Sequence, residues 1–316
     1  MASIAYVTDR KMIEYHRLNG NTSINFWRPT IKRKISDFEP GDFLFFLSKG
    51  TEKGRGKEKG IVGYGKFQKA QTLSFNQMWK IYETKNGYSS KEELAEAIVK
   101  ITKDKMIPKS FSCLYLENVV YFQFPIYLSE FEMTISNKIE SYIYIDKNDP
   151  SITNQILGKA AEFGVDLWSA TLSDKQENKQ SIDIDRVKFN LSEWYTLNKL
   201  EIYQGILKSQ ANKLKQRIIE TYQDRLIPIE NLKGSDYLLL AINNQQIEII
   251  VPLVYQQKTM TNNLQAVIGH IMLFKGLAQA QVSEYEIEFS IAISDNAPLE
   301  LIYLLNAAEI NYHLFY

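Results

Sequence analysis

The stretch Ser235–Gln256, SDYLLLAINNQQIEIIVPLVYQ, decides the fold of the second half of this 316-residue chain. Two apolar runs flank Asn243 and Asn244, a pattern typical of two strands around a turn. A long amphipathic helix is predicted before them, and helix, strand, helix and strand are predicted after them. Strands that alternate with helices favour an α/β sandwich, in which helices cover both faces of a mixed sheet.

The polar stretch Ser173–Arg186, SDKQENKQSIDIDR, predicts an exposed linker. It divides the chain into domains at 1–172 and 187–316. In the first domain, GDFLFFLS (41–48) and the glycine-containing GIVGYGKFQKA (60–70) are typical of strands. Glycines inside a strand suggest bulges or the close approach of another backbone. The prediction is an α+β domain built on a small, strongly curved sheet.

Charge is unevenly distributed along a chain whose 37 Lys and Arg balance 37 Asp and Glu. Residues 1–110 carry 21 Lys and Arg against 12 Asp and Glu, which suggests contact with a polyanion. A solvated loop at TEKGRGKEKG (51–60) is the open alternative. No apolar run is long enough to cross a bilayer, and the N-terminus lacks a signal peptide pattern. A single cysteine, Cys113, excludes an internal disulfide, so a cytoplasmic location is expected.

Several ordered motifs between residues 20 and 145 point to a known family. They include Asn25-Phe26-Trp27-Arg28-Pro29, then Ile61-Val62-Gly63-x-Gly65, then a Trp79 helix that ends at Lys85-Asn86-Gly87. This region resembles the N-terminal domain of prokaryotic restriction-endonuclease-like proteins that usually end in an HNH nuclease. It is similar to the PUA-like group, which includes the EVE and YTH folds. The resemblance implies a small curved β-barrel with helices that holds a modified base of DNA or RNA.

A protein that reads one base must take it out of the stack and hold it by its faces, its pairing edge and its phosphates. The candidate stacking rings are Trp27, Tyr64 and Trp79. The candidate edge readers are Asn25 and Asn86, and the candidate phosphate contacts are Arg28, Arg33 and Lys66. Three simpler explanations stay open: Trp79 in the core, Trp27 packing a loop, and Asn86 closing a helical turn.

The element order after Leu191 is similar to the core of the PD-(D/E)XK nucleases, which bind a divalent metal through acids on two strands. Under this resemblance Asp236 lies near the first-strand acid, and Glu193 or Glu201 supplies a helical acid. The second-strand acid and lysine fall on Val251 and Leu253, which cannot bind Mg²⁺. Pro252 between them predicts that the strand ends or bulges there. An unrelated α/β domain is the alternative.

The residues and resemblances together predict a DNA-binding protein of the restriction or defence type, with DNA, including DNA with a modified base, as its partner. No metal and no cofactor are expected. The C-terminal domain would be an inactive nuclease-like scaffold, including a homodimer contact. One alternative is an active Mg²⁺-dependent endonuclease that uses Asp236, Glu193 and Glu201. The other is a protein-interaction regulator without a nucleic-acid role.

Overall fold

The computed structural model divides into two compact units, Met1–Asp183 and Ile184–Tyr316. It describes residues 2–29, 35–48, 58–102, 104–136, 138–147, 149–172, 178–197, 206–223, 229–233, 235–241, 245–254, 260–282, 285–294 and 297–315. None of the helices in these ranges is both long and apolar enough to span a bilayer.

The division falls inside the predicted linker, whose described part, residues 178–186, is helical. A helix, Asn178–Leu197, begins within it. Ile182 and Ile184 are buried at 0% and 4% exposure. Although charged residues surround them in SIDIDR, the two isoleucines are buried, and their burial stabilises the helix here. The polar composition alone was therefore misleading.

The N-terminal unit is built on a six-stranded mixed sheet with the order β2-β5-β4-β3-β1-β6. β1 and β3 are parallel, and the other neighbouring pairs are antiparallel. The strands are β1 (Ser3–Thr8), β2 (Ile24–Arg28), β3 (Phe43–Ser48), β4 (Gly60–Leu73), β5 (Phe111–Tyr127) and β6 (Tyr142–Tyr144). The α-helices are α1 (Arg10–Leu18), α2 (Phe75–Tyr82), α3 (Lys91–Ile101), α4 (Ser151–Phe163) and α5 (Leu167–Leu172).

This sheet is strongly curved, as predicted. Phe26 on β2 packs edge-on against Tyr6 on β1 with ring centroids 4.9 Å apart, although β5, β4 and β3 separate the two strands in the hydrogen-bonded order. Three register shifts between β4 and β5 bend the long strands. Among the described residues no ladder joins β2 to β6, so the sheet is open and differs from the closed barrel that the resemblance implies.

Gly63 lies at one of these shifts, where the sequence predicts a bulge or a close backbone approach. A Cβ atom at this position would lie 2.3 Å from the Val120 carbonyl oxygen. Only a residue without a side chain allows β5 to come this close to β4. The prediction for this glycine is confirmed.

The C-terminal unit has a five-stranded mixed sheet with the order β11-β10-β9-β8-β7. β9, β10 and β11 are parallel, whereas β8 runs antiparallel to both of its neighbours. The strands are β7 (Glu230–Asn231), β8 (Leu238–Ala241), β9 (Gln246–Pro252), β10 (Glu286–Ser294) and β11 (Asn311–Phe315). The helices are α6 (Asn178–Leu197), α7 (Ile206–Thr221), α8 (Met260–Gln281) and α9 (Leu299–Ala307).

Helices cover both faces of this sheet. Side chains alternate along each strand, so neighbouring residues of β9 belong to two different cores. Ile249 and Val251 on β9 pack into a core with α6, α8 and α9. Ile250 packs into a second core with α7. The predicted αβ sandwich with a mixed sheet is therefore present in outline, and β9 ends at Pro252, which is one of the two outcomes that this proline predicts.

Candidate nucleic-acid interface

Three predicted base-contacting residues form a buried joint between β2 and the helical turn Glu83–Asn86. The Asn25 amide nitrogen donates to Asn86 Oδ1 at 2.8 Å, and Trp27 Nε1 donates to the Asn86 carbonyl oxygen at 3.0 Å. The Asn86 amide nitrogen donates to the Glu83 carbonyl oxygen at 2.8 Å. Asn25 and Asn86 have no exposed surface, and Trp27 is 9% exposed. In place of the predicted direct base contacts these residues form a structural joint, in which Asn25 Oδ1 is buried without a hydrogen-bond partner among the described residues.

Tyr64, predicted as a stacking ring, is fully buried. Its ring packs against Phe43, Phe45 and Phe122 with centroids 5.4, 5.8 and 6.0 Å away. No face of the ring is free for a base, so the predicted role does not fit this position. Trp79 is partly buried against the same unit's core.

The predicted phosphate contacts also differ from expectation. Lys66 is 3% exposed and Arg28 is 8% exposed, so neither lies on an open surface. Arg28 Nη2 donates to Ser112 Oγ at 3.0 Å, and its guanidinium carbon lies 5.6 Å from the Tyr6 ring centroid. Arg33 lies outside the described residues.

A surface that the sequence motifs did not identify combines an aromatic ring with two cations. The ammonium groups of Lys69 on β4 and Lys85 in the turn Glu83–Asn86 each lie 5.6 Å from the centroid of the Tyr115 ring on β5. Both lysines are exposed and Tyr115 is half-buried. We name Tyr115, Lys69 and Lys85 the Tyr115 platform. Its spacing satisfies the distance for a cation–π contact.

The Tyr115 platform is supported by neighbouring side chains that pack against it or hydrogen-bond beside it. The Tyr82 ring stacks beside Tyr115 with centroids 5.7 Å apart. Burial raises the pKa of Tyr82 to about 12, so its hydroxyl stays protonated and donates to Gln71 Oε1 at 2.7 Å. Lys85 adjoins Asn86 in sequence, so the buried joint positions one lysine of the platform. The predicted residues Asn25 and Asn86 thus support a surface instead of forming it.

Cys113 faces this joint and is a buried free thiol. Burial raises the pKa of the Cys113 thiol to about 11. A thiol that stays protonated at neutral pH is a poor nucleophile, so Cys113 serves here as a small core residue.

The C-terminal positions of the nuclease resemblance do not converge on one site. Val251 and Leu253 are 1% and 5% exposed within the apolar core, and Glu248 lies on the opposite face of β9. Asp236 is half-buried and interacts electrostatically with Lys215. Glu193 on α6 is half-buried, and Glu201 lies outside the described residues. Across the described ranges, no group of three or more His, Cys, Asp or Glu side chains could hold a metal ion.

Glu248 instead pairs with a histidine from another strand. His313 Nε2 lies 2.6 Å from Glu248 Oε1. The hydrogen bond to Glu248 raises the pKa of His313, while partial burial opposes this shift. The sequence did not indicate this pair, because the two residues are 65 positions apart.

Comparisons with known proteins show only a distant similarity to solved structures. No family model matches the sequence, and no curated protein is similar to it. Among solved structures, ASCH from Zymomonas mobilis is 11% identical with a TM-score of 0.34, covering 49% of this chain and 94% of that chain. Two point variants of that protein are 12% and 9% identical with the same TM-score, covering 49% and 50% of this chain and 96% and 95% of theirs. A TM-score of 0.34 is too low to assign a fold.

Proposed function

We propose that the N-terminal unit binds nucleic acid through the Tyr115 platform. The observation that carries this proposal is the placement of two exposed ammonium groups at 5.6 Å from one half-exposed aromatic ring. Proteins that bind single-stranded nucleic acid combine backbone-tracking positive charge with rings on which bases stack. The excess of Lys and Arg in residues 1–110 supports the same partner.

The proposed substrate is an unpaired or extruded base together with its neighbouring phosphates. A ring on the surface can stack only on a base whose face is free, so an intact duplex would bind through phosphates alone. Stacking on one ring is worth about 1–3 kcal/mol per base. Lys69 and Lys85 would supply the phosphate contacts, which makes affinity dependent on salt.

A modified base, and a role in restriction or defence, remain part of the proposal through the sequence resemblance of residues 20–145. These two parts of the proposal determine which nucleic acids the binding assay should include. The panel includes single-stranded DNA, single-stranded RNA and duplexes with methylated or hydroxymethylated bases. A preference for a modified duplex over its unmodified match would support base reading by the PUA-like unit.

For the C-terminal unit we propose a scaffold role without nuclease activity and without a metal cofactor. Val251 and Leu253 occupy the positions where the PD-(D/E)XK resemblance requires a metal ligand and a lysine. A homodimer contact through α8 belongs to this proposal, since Met272, Leu273 and Leu277 on that helix are 63%, 68% and 43% exposed. Light scattering on the intact chain and on Leu273→Glu measures it, and a monomeric intact chain would refute it.

The binding proposal is tested by fluorescence polarisation with labelled oligonucleotides. Tyr115→Ala should weaken binding to single strands about 5- to 150-fold, the equivalent of 1–3 kcal/mol. Tyr303→Ala, an exposed tyrosine of the C-terminal unit, is the matched control. Lys69→Gln should lower the slope of log affinity against log salt concentration by roughly 0.7. Lys100→Gln, on the exposed side of α3, should leave this slope unchanged. Undetectable binding of every oligonucleotide at low salt would favour the protein-interaction alternative.

The nuclease alternative has its own test. Plasmid DNA is incubated with the intact chain and Mg²⁺ or Mn²⁺, with Asp236→Ala as the control. The scaffold proposal expects no cleavage by either protein. Metal-dependent cleavage that is lost in Asp236→Ala would establish the endonuclease instead.

A further inference from the structure

Arg28 is a buried cation for which the described residues provide no carboxylate partner. Arg28 is 8% exposed, and its buried Nε atom has no hydrogen-bond partner within the described ranges. Its two contacts, the Ser112 hydroxyl and the face of the Tyr6 ring, are neutral. Buried charges in proteins are normally paired, because removing an ion from water is costly. An uncompensated guanidinium inside a fold is therefore a candidate receptor for an anion.

Three half-buried tyrosines form a row that begins at this guanidinium, and together with Arg28 we name them the tyrosine seam. Tyr6 and Tyr142 stack with centroids 5.8 Å apart, and Tyr142 meets Tyr144 edge-on at 5.7 Å. Arg28 interacts electrostatically with Tyr142, so the guanidinium and this phenol are neighbours. The Tyr144 hydroxyl donates to the Ser36 carbonyl oxygen at 2.8 Å, which fixes the outer ring.

The chemistry of the tyrosine seam suits an oxyanion. Desolvation raises the pKa of Tyr142, and so does its hydrogen bond with Tyr144, a bond that an incoming anion would replace. A second cation, the Lys147 ammonium, lies 5.9 Å from the Tyr144 ring centroid at the exposed side. The tyrosine seam thus has a guanidinium beside Tyr6 and an ammonium beside Tyr144, so both ends of the row carry positive charge.

We propose that the tyrosine seam binds a nucleotide by its phosphate, with Arg28 as the charged donor and the Tyr142 hydroxyl as a second donor. The planar guanidinium matches the spacing of phosphate oxygens and is the usual side chain for their recognition. Tyr6 already has Arg28 and Tyr142 against its ring, so the attached base would stack on the half-buried ring of Tyr142 or Tyr144, which favours a nucleotide over a bare anion. The phosphate belongs either to a free nucleoside monophosphate or to the end of a strand.

The tyrosine seam is separate from the Tyr115 platform. Arg28 on β2 is the register partner of Ser112 on β5, whereas Tyr115 lies three residues further along β5. Because side chains alternate between faces, Ser112 and Tyr115 point to opposite sides of this pair of strands. Ligand binding at the two sites can therefore be tested independently.

The test is calorimetric titration of the full chain with the four nucleoside 5′-monophosphates, the corresponding nucleosides and inorganic phosphate. At least one monophosphate should bind more tightly than its nucleoside and more tightly than inorganic phosphate. Tyr142→Phe removes only a hydroxyl and should weaken monophosphate binding at least about tenfold, while Tyr303→Phe should leave it unchanged. Arg28→Lys, which keeps the charge but loses the planar fork, should weaken it as well.

The outcomes separate this proposal from the function proposed above. Tyr115→Ala should leave monophosphate affinity unchanged even where it abolishes oligonucleotide binding. Tighter binding of 5′-phosphorylated than of 5′-hydroxyl oligonucleotides would identify a strand end as the source of the phosphate. The proposal fails if no monophosphate binds at about 10 mM, if inorganic phosphate binds equally well, or if Tyr142→Phe binds as tightly as the parent chain.

Discussion

Mild acid should destabilise the N-terminal unit through one buried histidine, His16. Its side chain has no exposed surface, and burial lowers the pKa of His16 from 6.5 to about 3. The Asn21 amide nitrogen lies 3.0 Å from Nδ1 and donates to it, which leaves Nε2 as the protonated nitrogen. Nε2 is itself buried without a hydrogen-bond partner. A second proton would have to displace the Asn21 donor, in a position that water does not reach.

The direction and the size of the change in stability follow from the folded and unfolded pKa values of His16. Because the folded pKa lies below the unfolded value, the neutral histidine costs nothing above about pH 6.5, and stability is lost as the pH falls from there toward 3. Each pH unit in this window costs about 1.4 kcal/mol. Between pH 7 and pH 5 the loss is therefore about 2 kcal/mol, and it approaches roughly 4–5 kcal/mol near pH 3.

The assay is urea unfolding followed by tryptophan fluorescence at pH 7 and pH 5. A Trp194→Phe background restricts the signal to Trp27, Trp79 and Trp168, which all belong to the N-terminal unit. His16→Gln carries no titrating group, so its stability should change about 2 kcal/mol less between the two pH values than that of the parent. Equal pH dependence of the two proteins, or an NMR titration of His16 near pH 6.5, would refute this reasoning.

Three further perturbations test other parts of the structure. Gly87→Ala should destabilise the protein by roughly 2–5 kcal/mol in urea unfolding, because φ is +84° and the new Cβ would lie 2.3 Å from Met12 Cγ. Gly164→Ala, with φ +80° and no atom within 4 Å, should cost only about 1–2 kcal/mol, and equal costs would contradict the clash. Trp27→Phe should lower stability by about 1 kcal/mol more than Trp168→Phe, because the half-exposed Trp168 hydrogen bond to the Leu18 carbonyl can be replaced by water. Since the folded pKa of His313 is raised, its stabilisation is present below about pH 6.5 and is lost as the pH rises through the folded value. Glu248→Gln should therefore destabilise the C-terminal unit more at pH 6 than at pH 9, and a deficit independent of pH would count against this pair.

Local features of the fold could be predicted from the sequence where one residue decides them. Ser90 accepts a hydrogen bond from the Glu93 backbone nitrogen at 3.2 Å as the N-cap of α3, a role typical of a serine three residues before a glutamate. Gly63 allows the close approach of β4 and β5, and Pro252 ends β9. Each of these effects depends on the backbone geometry of a single residue or its near neighbours, which the sequence states directly.

The candidate site could not be predicted in the same way, because it depends on register. Lys69 and Tyr115 are paired across β4 and β5 only after three register shifts have been absorbed. One residue more or less would have placed Tyr115 on the other face. Tyr64, predicted as a stacking ring, lies between Gly63 and Gly65, where the strands approach closely and enclose its side chain.

Polar side chains in the interior distinguish the two units. In the C-terminal unit the buried carboxylate of β9, Glu248, is paired, because its Oε1 lies 2.6 Å from His313 Nε2. In the N-terminal unit the interior polar groups of β2 fall into two kinds. The amide of Asn25 binds Asn86 and serves the fold, while the guanidinium of Arg28 lacks a carboxylate among the described residues. A fold bears the cost of an unpaired buried charge when a ligand completes it, and this asymmetry along one strand is the physical reason to look for ligand binding in the N-terminal unit.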